Sequence, residues 1–146
     1  MKSNIVENES RKISFPSKTE SIAQVDKLVD TICEQHSISE DHYGNILVAL
    51  TEAVNNAIQH GNQLNPEKDV EITYTTEQDK LTFFVRDFGT GFDFENLPDP
   101  TDPANLEKPN GRGIFLMRNL ADEVEFTEDG RVVELNFNTS TTAPAE

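Results

Sequence analysis

Three segments of the chain carry apolar residues at the spacing of an amphipathic α-helix. The first covers residues 19–35. The second begins after Ser39, whose hydroxyl can cap an acidic first turn, and is predicted to end at Gly61 in the left-handed conformation. The third is predicted to begin near Gly111. Each helix is expected to bury one face and to leave the other polar.

Alternating apolar and polar residues predict strands elsewhere, at 12–17, 69–77 and 80–88 and in a final hairpin at 123–137. Asp129 and Gly130 form a strong turn signal inside that hairpin. Strands in runs separated by helices predict an α+β fold. We expect a two-layer α/β sandwich, in which a mixed, mostly antiparallel sheet is covered on one face by about three helices.

The length of the chain and its polar ends predict one folded domain. The 146 residues suit a single hydrophobic core. Residues 1–11 and 138–146 are polar and expected to be flexible, which leaves 12–137 as the domain. The polar segment 89–110 has several prolines and no periodicity, and loops of this length inside a domain are usually functional.

The formal net charge of -15 argues against nucleic-acid binding, because phosphate backbones are held by Lys and Arg clusters that this sequence lacks. It also lacks the roughly 20 consecutive apolar residues of a membrane helix and the apolar core of a secretory signal. We therefore expect a cytoplasmic protein with no membrane partner. To bind a phosphorylated small molecule, such an acidic chain has to use backbone N–H groups, a helix terminus and a divalent cation.

Cysteine and histidine usage indicates no metal centre built from these side chains. A single cysteine, Cys33, excludes an internal disulfide and a cysteine-based zinc site. Its place on the apolar face of the first helix predicts a buried, unreactive thiol. His36, His42 and His60 do not have the spacing of a metal site.

The second predicted helix carries two polar residues beside its apolar stripe. Glu52 and Asn56 lie one turn apart on a helical wheel and project in the same direction at the edge of the core. Carboxylate and amide oxygens are hard donors that suit Mg²⁺, and a carboxylate can accept a proton from a hydroxyl. Taken alone, the pair is more typical of the ordinary polar flank of an amphipathic helix than of a metal or catalytic site.

A second motif follows the strand at 80–88. Asp87 is a carboxylate that could accept a hydrogen bond from an exocyclic amine. Gly89 and Gly91 can adopt positive φ or let the backbone approach a ligand closely. Turns after strands often contain both Asp and Gly, so the motif is weak by itself.

A third motif opens the last helix. Gly111 and Gly113 precede an apolar run, with Asn110 available as an N-cap. Backbone N–H groups at a helix N-terminus, together with the helix dipole, favour an anion such as a phosphate. Arg112 adds positive charge without forming a basic patch.

In this order, ExxxN on a helix, DxGxG after a strand and GxG at a helix start, the motifs resemble the nucleotide-binding site of the GHKL ATPases. The segments that carry the resemblance are EAVNNAIQHGN, RDFGTGF and GRGIFLM. Within this superfamily the chain is most similar to the stand-alone bacterial anti-sigma factor serine kinases, over about residues 12–137. The resemblance implies a Bergerat-type ATP-binding fold, also called histidine-kinase-like, with ATP and Mg²⁺ as cofactors.

The resemblance also implies roles for the residues on the second helix and after the strand. Glu52 would be the catalytic general base that accepts the proton of the attacking hydroxyl. Asn56 would bind Mg²⁺ through its side-chain oxygen and so help to hold ATP. Asp87 would accept a hydrogen bond from the adenine amino group, and Gly89 with Gly91 would let the chain turn beneath the base.

The last motif and the segment before it are implied to hold the phosphates. Gly111 and Gly113 would meet them, and residues 95–109 would form a lid over the nucleotide. Members of the family generally place a cation near the γ-phosphate. Here the candidates are Lys108 and Arg112.

The function that the resemblance implies is transfer of the ATP γ-phosphate to a Ser or Thr of an antagonist protein of the anti-anti-sigma type. The alternative is a non-catalytic module, in which ATP orders the lid and so controls docking to a sigma factor or another regulator. Glu52 favours the kinase, because a pure binder has no use for that carboxylate. A histidine kinase is the third reading, although the residues before the first helix are too few for a dimerising hairpin. A homodimer is implied by the resemblance alone.

Overall fold

Five strands pair into one sheet in the residues that the computed structural model describes, 9–90 and 109–140. They are β1 (Glu9–Pro16), β2 (Asp69–Glu77), β3 (Lys80–Arg86), β4 (Glu123–Thr127) and β5 (Val132–Asn138). Their order is β1-β2-β3-β5-β4. The sequence analysis expected a mixed, mostly antiparallel sheet. Every neighbouring pair of described strands is antiparallel, so the described sheet contains no parallel pair.

In the described part of the chain three α-helices join this sheet, which confirms the predicted α+β sandwich. They are α1 (Ile22–Gln35), α2 (Glu40–Asn56) and α3 (Pro109–Leu120). α2 packs between α1 and α3, and it also contacts the neighbouring strands β3 and β5. Among the described residues, no helix combines the length and apolarity that crossing a membrane requires.

The core lies between the helices and one face of the sheet. Alternate residues of β3, Leu81, Phe83 and Val85, are buried there, as strand geometry requires. The ring of Phe83 packs edge-on against Phe137 of β5, with centroids 6.1 Å apart. Facing them is the apolar stripe of α2, which includes the fully buried Leu50. This packing fixes α2 and therefore the side chains on its margin.

The start of α2 agrees with the sequence prediction, whereas the start of α3 differs from it. The Ser39 cap is confirmed, since its hydroxyl oxygen accepts a hydrogen bond from Asp41 N at 3.1 Å. α3, however, begins at Pro109, where a proline suits the first helical position. Asn110 therefore lies within the first turn, and its prediction as the N-cap is wrong.

The C-terminal end of α2 is a wider turn than the sequence analysis predicted. Residues Ala57–Gly61 form a π-helical turn, closed by a hydrogen bond of 2.8 Å from Asn62 N to the carbonyl of Ala57. The left-handed residues are Gln63 and Leu64, with φ of 55° and 60°. The prediction that Gly61 is left-handed is therefore wrong. A glycine is required at position 61 for a different reason, namely that its backbone lies against the side chain of Asp87.

Cys33 is half-buried on α1 beside the core. Burial, with a smaller contribution from the negative charge of Asp30, raises the pKa of its thiol to about 11. The thiol is therefore protonated at neutral pH and a poor nucleophile, as the sequence analysis expected of its reactivity.

One stability prediction follows from the interior of α2. Gly44 is exposed, and a Cβ at this position would meet no atom within 4 Å. Glycine inside a helix costs roughly 0.5–1 kcal/mol relative to alanine. Gly44→Ala should therefore raise the free energy of unfolding by about 0.5–1 kcal/mol, measured by urea denaturation followed by circular dichroism. An unchanged or lower value would contradict the open environment of this position.

Candidate functional site

The first and third motifs of the sequence meet where α2 passes the first turn of α3. Glu52 and Asn56 are both half-buried on the margin of α2. A Cβ placed on Gly113 would lie 3.1 Å from Glu52 Oε1, 3.1 Å from Asn56 Nδ2 and 3.3 Å from Asn56 Oδ1. Both side chains therefore converge on the backbone of α3, and a side chain larger than that of glycine at position 113 would crowd them.

Asp87 stands at the end of β3 and faces the terminal turn of α2. Only 7% of the residue is exposed. Its Oδ1 accepts a hydrogen bond of 2.9 Å from Gly89 N. A Cβ on Gly61 would lie 2.3 Å from both Cγ and Oδ2 of Asp87. The carboxylate therefore lies directly against the backbone of Gly61, which explains why a glycine is needed there.

Gly61 and Gly89 also approach each other closely. A Cβ on Gly89 would lie 1.8 Å from the carbonyl oxygen of Gly61, a distance that no real contact allows. Gly89 does not adopt a positive φ. The sequence suggested two reasons for a glycine at position 89, a positive φ and the close approach of the backbone to a ligand. The structure shows a close approach, to the backbone of Gly61, and no positive φ.

Burial changes the acidity of Asp87. Removal of the carboxylate from water raises its pKa, although the hydrogen bond from Gly89 N and the positive charge of Arg131 oppose the rise. A pKa that is higher in the folded state means that folding favours the protonated carboxyl. The stabilisation is complete below the ordinary aspartate pKa and is lost as the pH rises through the raised value. At neutral pH the ionised carboxylate therefore opposes folding.

Arg131 holds the other side of the Asp87 loop. Its Nε donates a 2.9 Å hydrogen bond to the carbonyl of Gly89, and its own carbonyl accepts one of 2.9 Å from Asp87 N. Arg131 follows the turn between β4 and β5, where Gly130 has a φ of 88°. The sequence analysis identified this turn as a hairpin signal only. Nothing in the local spacing of Arg131 connects it with Asp87.

A pocket lies between these elements, bounded by α2, α3, β3, β4 and β5. Its walls are mainly apolar, and Asn56 and Asp87 supply polar groups. A concave, mostly apolar pocket with a few polar groups is the usual form of a small-molecule site. The apolar lining consists of Ala53, Ala57, Val85, Ile114, Met117, Phe126 and Val133.

The structure thus brings Glu52, Asn56 and Gly113 together, and Asn56 and Asp87 line the same pocket. Gly111 is in the first turn of α3. The predictions for Gly91, Lys108 and most of the lid fall outside the described residues, and so does the side chain of Arg112. Within the described residues, no group of three or more His, Cys, Asp or Glu side chains could hold a metal ion. A cation here would have to be held by Asn56, a phosphate and water.

Comparisons with known proteins identify the family of the chain. Residues 15–137 match the family model of the histidine kinase-like ATPase domain. The serine-protein kinase RsbW of Bacillus cereus (strain AH187) is 26% identical over 127 residues, which cover 83% of this chain and 79% of the relative. The RsbW of Bacillus anthracis (strain CDC 684 / NRRL 3495) is 25% identical with the same coverage.

A solved structure has the same fold. The crystal structure of the RsbU and RsbW domains of a Mycobacterium tuberculosis protein superposes with a TM-score of 0.63 at 14% sequence identity. The match covers 92% of this chain, and the chain spans about a third of the solved one, 34%. The family model matches most of the chain, which confirms the resemblance seen in the motifs. The chain belongs to the family of histidine kinase-like ATPase domains.

Proposed function

We propose that the chain is an ATP-dependent protein-serine/threonine kinase of the anti-sigma factor type. It transfers the γ-phosphate of ATP to a Ser or Thr of an antagonist protein and thereby changes which partner it binds. The observation that carries the proposal is the convergence of Glu52 and Asn56 on the backbone of α3 at Gly113, because a general base and a ligand of the cation both have to lie beside the helix end that would hold the phosphates. The family match and the relatives named serine-protein kinase support it.

Phosphoryl transfer needs little covalent chemistry from a protein and depends mainly on positioning and electrostatics. The carboxylate of Glu52 accepts the proton of the attacking hydroxyl. Packing holds α2 in place, so this carboxylate is fixed relative to α3. The N-terminal N–H groups of α3 face the phosphates, where the helix dipole favours negative charge.

The donor set fits Mg²⁺ better than a metal that needs a protein cage. Mg²⁺ usually keeps several waters and takes only one or two protein oxygens together with phosphate oxygens. Asn56 Oδ1 lies 3.3 Å from the position of a Cβ on Gly113, so the amide oxygen already faces α3 and could bind the cation there. Bound here, the cation supplies positive charge that neutralises the phosphates.

Adenine would occupy the apolar pocket. The carboxylate of Asp87 then accepts a hydrogen bond from the exocyclic amine, and the backbone at Gly61 and Gly89 supports the base at close range. The same carboxylate opposes folding when no ligand compensates for its burial. Recognition of the base therefore comes at a cost in stability of the empty protein.

Asp87→Asn should separate these two effects. The amide can still accept the hydrogen bond from Gly89 N, but it lacks the buried charge and presents a donor to the amine. We expect a higher melting temperature without nucleotide at pH 7 and an ATP dissociation constant raised about 10-fold or more. Calorimetric titration and thermal unfolding measure both. The stability difference from the wild type should shrink as the pH falls, and a difference independent of pH would contradict burial as its cause.

The proposed reaction is tested with γ-labelled Mg·ATP and candidate antagonist proteins, with Glu52→Ala as the matched negative control. Label on a Ser or Thr of the antagonist, absent with the variant, supports the kinase. Acid-labile label on a histidine would instead support the histidine-kinase reading. Saturable ATP binding without transfer to any candidate would support a regulatory module that docks to a sigma factor, and no ATP binding would refute the nucleotide site.

A further inference from the structure

Asn62 is a buried amide directly after the π-helical turn, with 2% of the residue exposed. Its Nδ2 donates two hydrogen bonds, to Ser17 Oγ at 2.8 Å and to the carbonyl of Asp69 at 3.0 Å. Its Oδ1 accepts one of 2.8 Å from Phe88 N. Both N–H groups and the oxygen are therefore used, and they join the chain near Ser17, the start of β2 and the loop at Phe88 to the turn that follows α2.

The bond to Phe88 matters because this residue lies between Asp87 and Gly89. Phe88 is 43% exposed, so burial of this residue contributes little to holding its part of the loop. Hydrogen bonds hold it instead. Arg131 bonds Asp87 N and the Gly89 carbonyl from the side of the sheet, and Asn62 bonds Phe88 N from the side of α2. The loop is thus fixed from two opposite sides.

The hydrogen bonds of the Asn62 side chain have two different roles. The bonds from Nδ2 join the chain after β1 to the start of β2, which is scaffold. Ser17 extends this scaffold, since its hydroxyl donates a 2.6 Å bond to the carbonyl of Lys68. Only the Oδ1 bond reaches the loop that carries Asp87. An aliphatic residue at position 62 would leave Phe88 N without this partner in a part-buried place.

We infer that Asn62 is a positioning residue for adenine recognition, which acts by holding Phe88 N and through it the direction of the Asp87 carboxylate. The inference rests on the proposed ATP site. It assigns to Asn62 an effect on the affinity for ATP and none on the transfer step, because Asn62 touches the loop and not the region of Glu52 and Gly113.

The matched variants are Asn62→Ala and Ser17→Ala. Ser17 is as buried as Asn62, 1% exposed, and its loss weakens the scaffold while the Oδ1 bond to Phe88 can persist. With Asn62→Ala we expect the dissociation constant and KM for ATP to rise roughly 10-fold, with kcat at saturating ATP unchanged. With Ser17→Ala we expect a change of less than about twofold in ATP affinity, although stability falls.

A double-mutant cycle with Asp87→Asn tests the route of the effect. If Asn62 acts through Asp87, its effect on ATP affinity should largely disappear in the Asp87→Asn background. Ser17→Ala should be additive with Asp87→Asn. Additive effects of Asn62→Ala, or equal losses of affinity with both single variants, would overturn the inference.

Wild-type ATP binding is measured first, because its absence would remove the proposed function and this inference together. If the wild type binds ATP but Asn62→Ala is additive with Asp87→Asn, or loses no more affinity than Ser17→Ala, only the inference about Asn62 is wrong. If Asn62→Ala does not fold, amide exchange of the wild type decides by NMR. The Phe88 amide should exchange slowly without nucleotide and more slowly with ATP, and fast exchange in both states would overturn the inference.

Discussion

Glu52→Ala should lower the rate of phosphoryl transfer at saturating Mg·ATP by about 10²- to 10⁴-fold, the usual contribution of a general base. The affinity for ATP should stay within about threefold of the wild type, because the base pocket and Asn56 are untouched. The physical reason is that the Glu52 carboxylate lies beside the backbone of α3 at Gly113, where the proposed acceptor hydroxyl would meet the phosphate.

Two variants make this result specific. Glu52→Gln keeps the size of the side chain and removes its basicity, so it should be as inactive as the alanine variant. Asn55→Ala changes a neighbouring residue of α2 whose Oδ1 accepts a hydrogen bond from Gln59, and it should leave transfer unchanged. If Glu52→Ala instead abolished ATP binding and left turnover per bound ATP unchanged, the proposed role of Glu52 would be wrong.

Gly89→Ala should reduce the affinity for ATP on the order of 100-fold, since it displaces the loop that carries Asp87 and with it a charged hydrogen bond. The new methyl carbon would lie 1.8 Å from the carbonyl oxygen of Gly61, and that neighbour is backbone, so the main chain has to move. Movement of Gly89 also disturbs its hydrogen bonds with Asp87 and Arg131. The melting temperature should fall as well, because such crowding typically costs 1–3 kcal/mol.

Gly44→Ala is the matched control, because it makes the same chemical change at a glycine with free space around it. It should bind ATP like the wild type and be slightly more stable. Calorimetric titration with Mg·ATP and thermal unfolding of all three proteins make the comparison. Wild-type affinity and melting temperature in Gly89→Ala would show that the contact between Gly61 and Gly89 is not required.

Features that depend on near neighbours in sequence could be predicted. The Ser39 cap, the strand Asp69–Glu77 and the side-by-side placement of Glu52 and Asn56 follow from capping, alternation and helical periodicity. The fold class could be predicted for the same reason, since it depends on the order of such elements. The family resemblance, carried by three short motifs, is confirmed by the match over residues 15–137.

Features that depend on distant residues could not be predicted. Gly61 had a local explanation, the end of a helix, but its actual neighbour is Asp87. Asn62 and Arg131 had no local signal at all, and both act on a loop that is remote from them in sequence. Gln63 and Leu64 adopt a left-handed φ just after the π-helical turn, and the periodicity of the sequence does not reveal that turn.

The sequence by itself determined which helices and strands form and which side chains could do chemistry, because periodicity, caps and turn residues act over a few residues. Only the tertiary structure decided that the order β1-β2-β3-β5-β4 sets β5 beside β3, so that Arg131 reaches the Asp87 loop from one side. It also decided that α2 ends against this loop, so that Gly61 and Asn62 reach it from the other. These contacts arise when separate elements pack around one core, and the distance between two packed backbones is not encoded in the spacing of either segment.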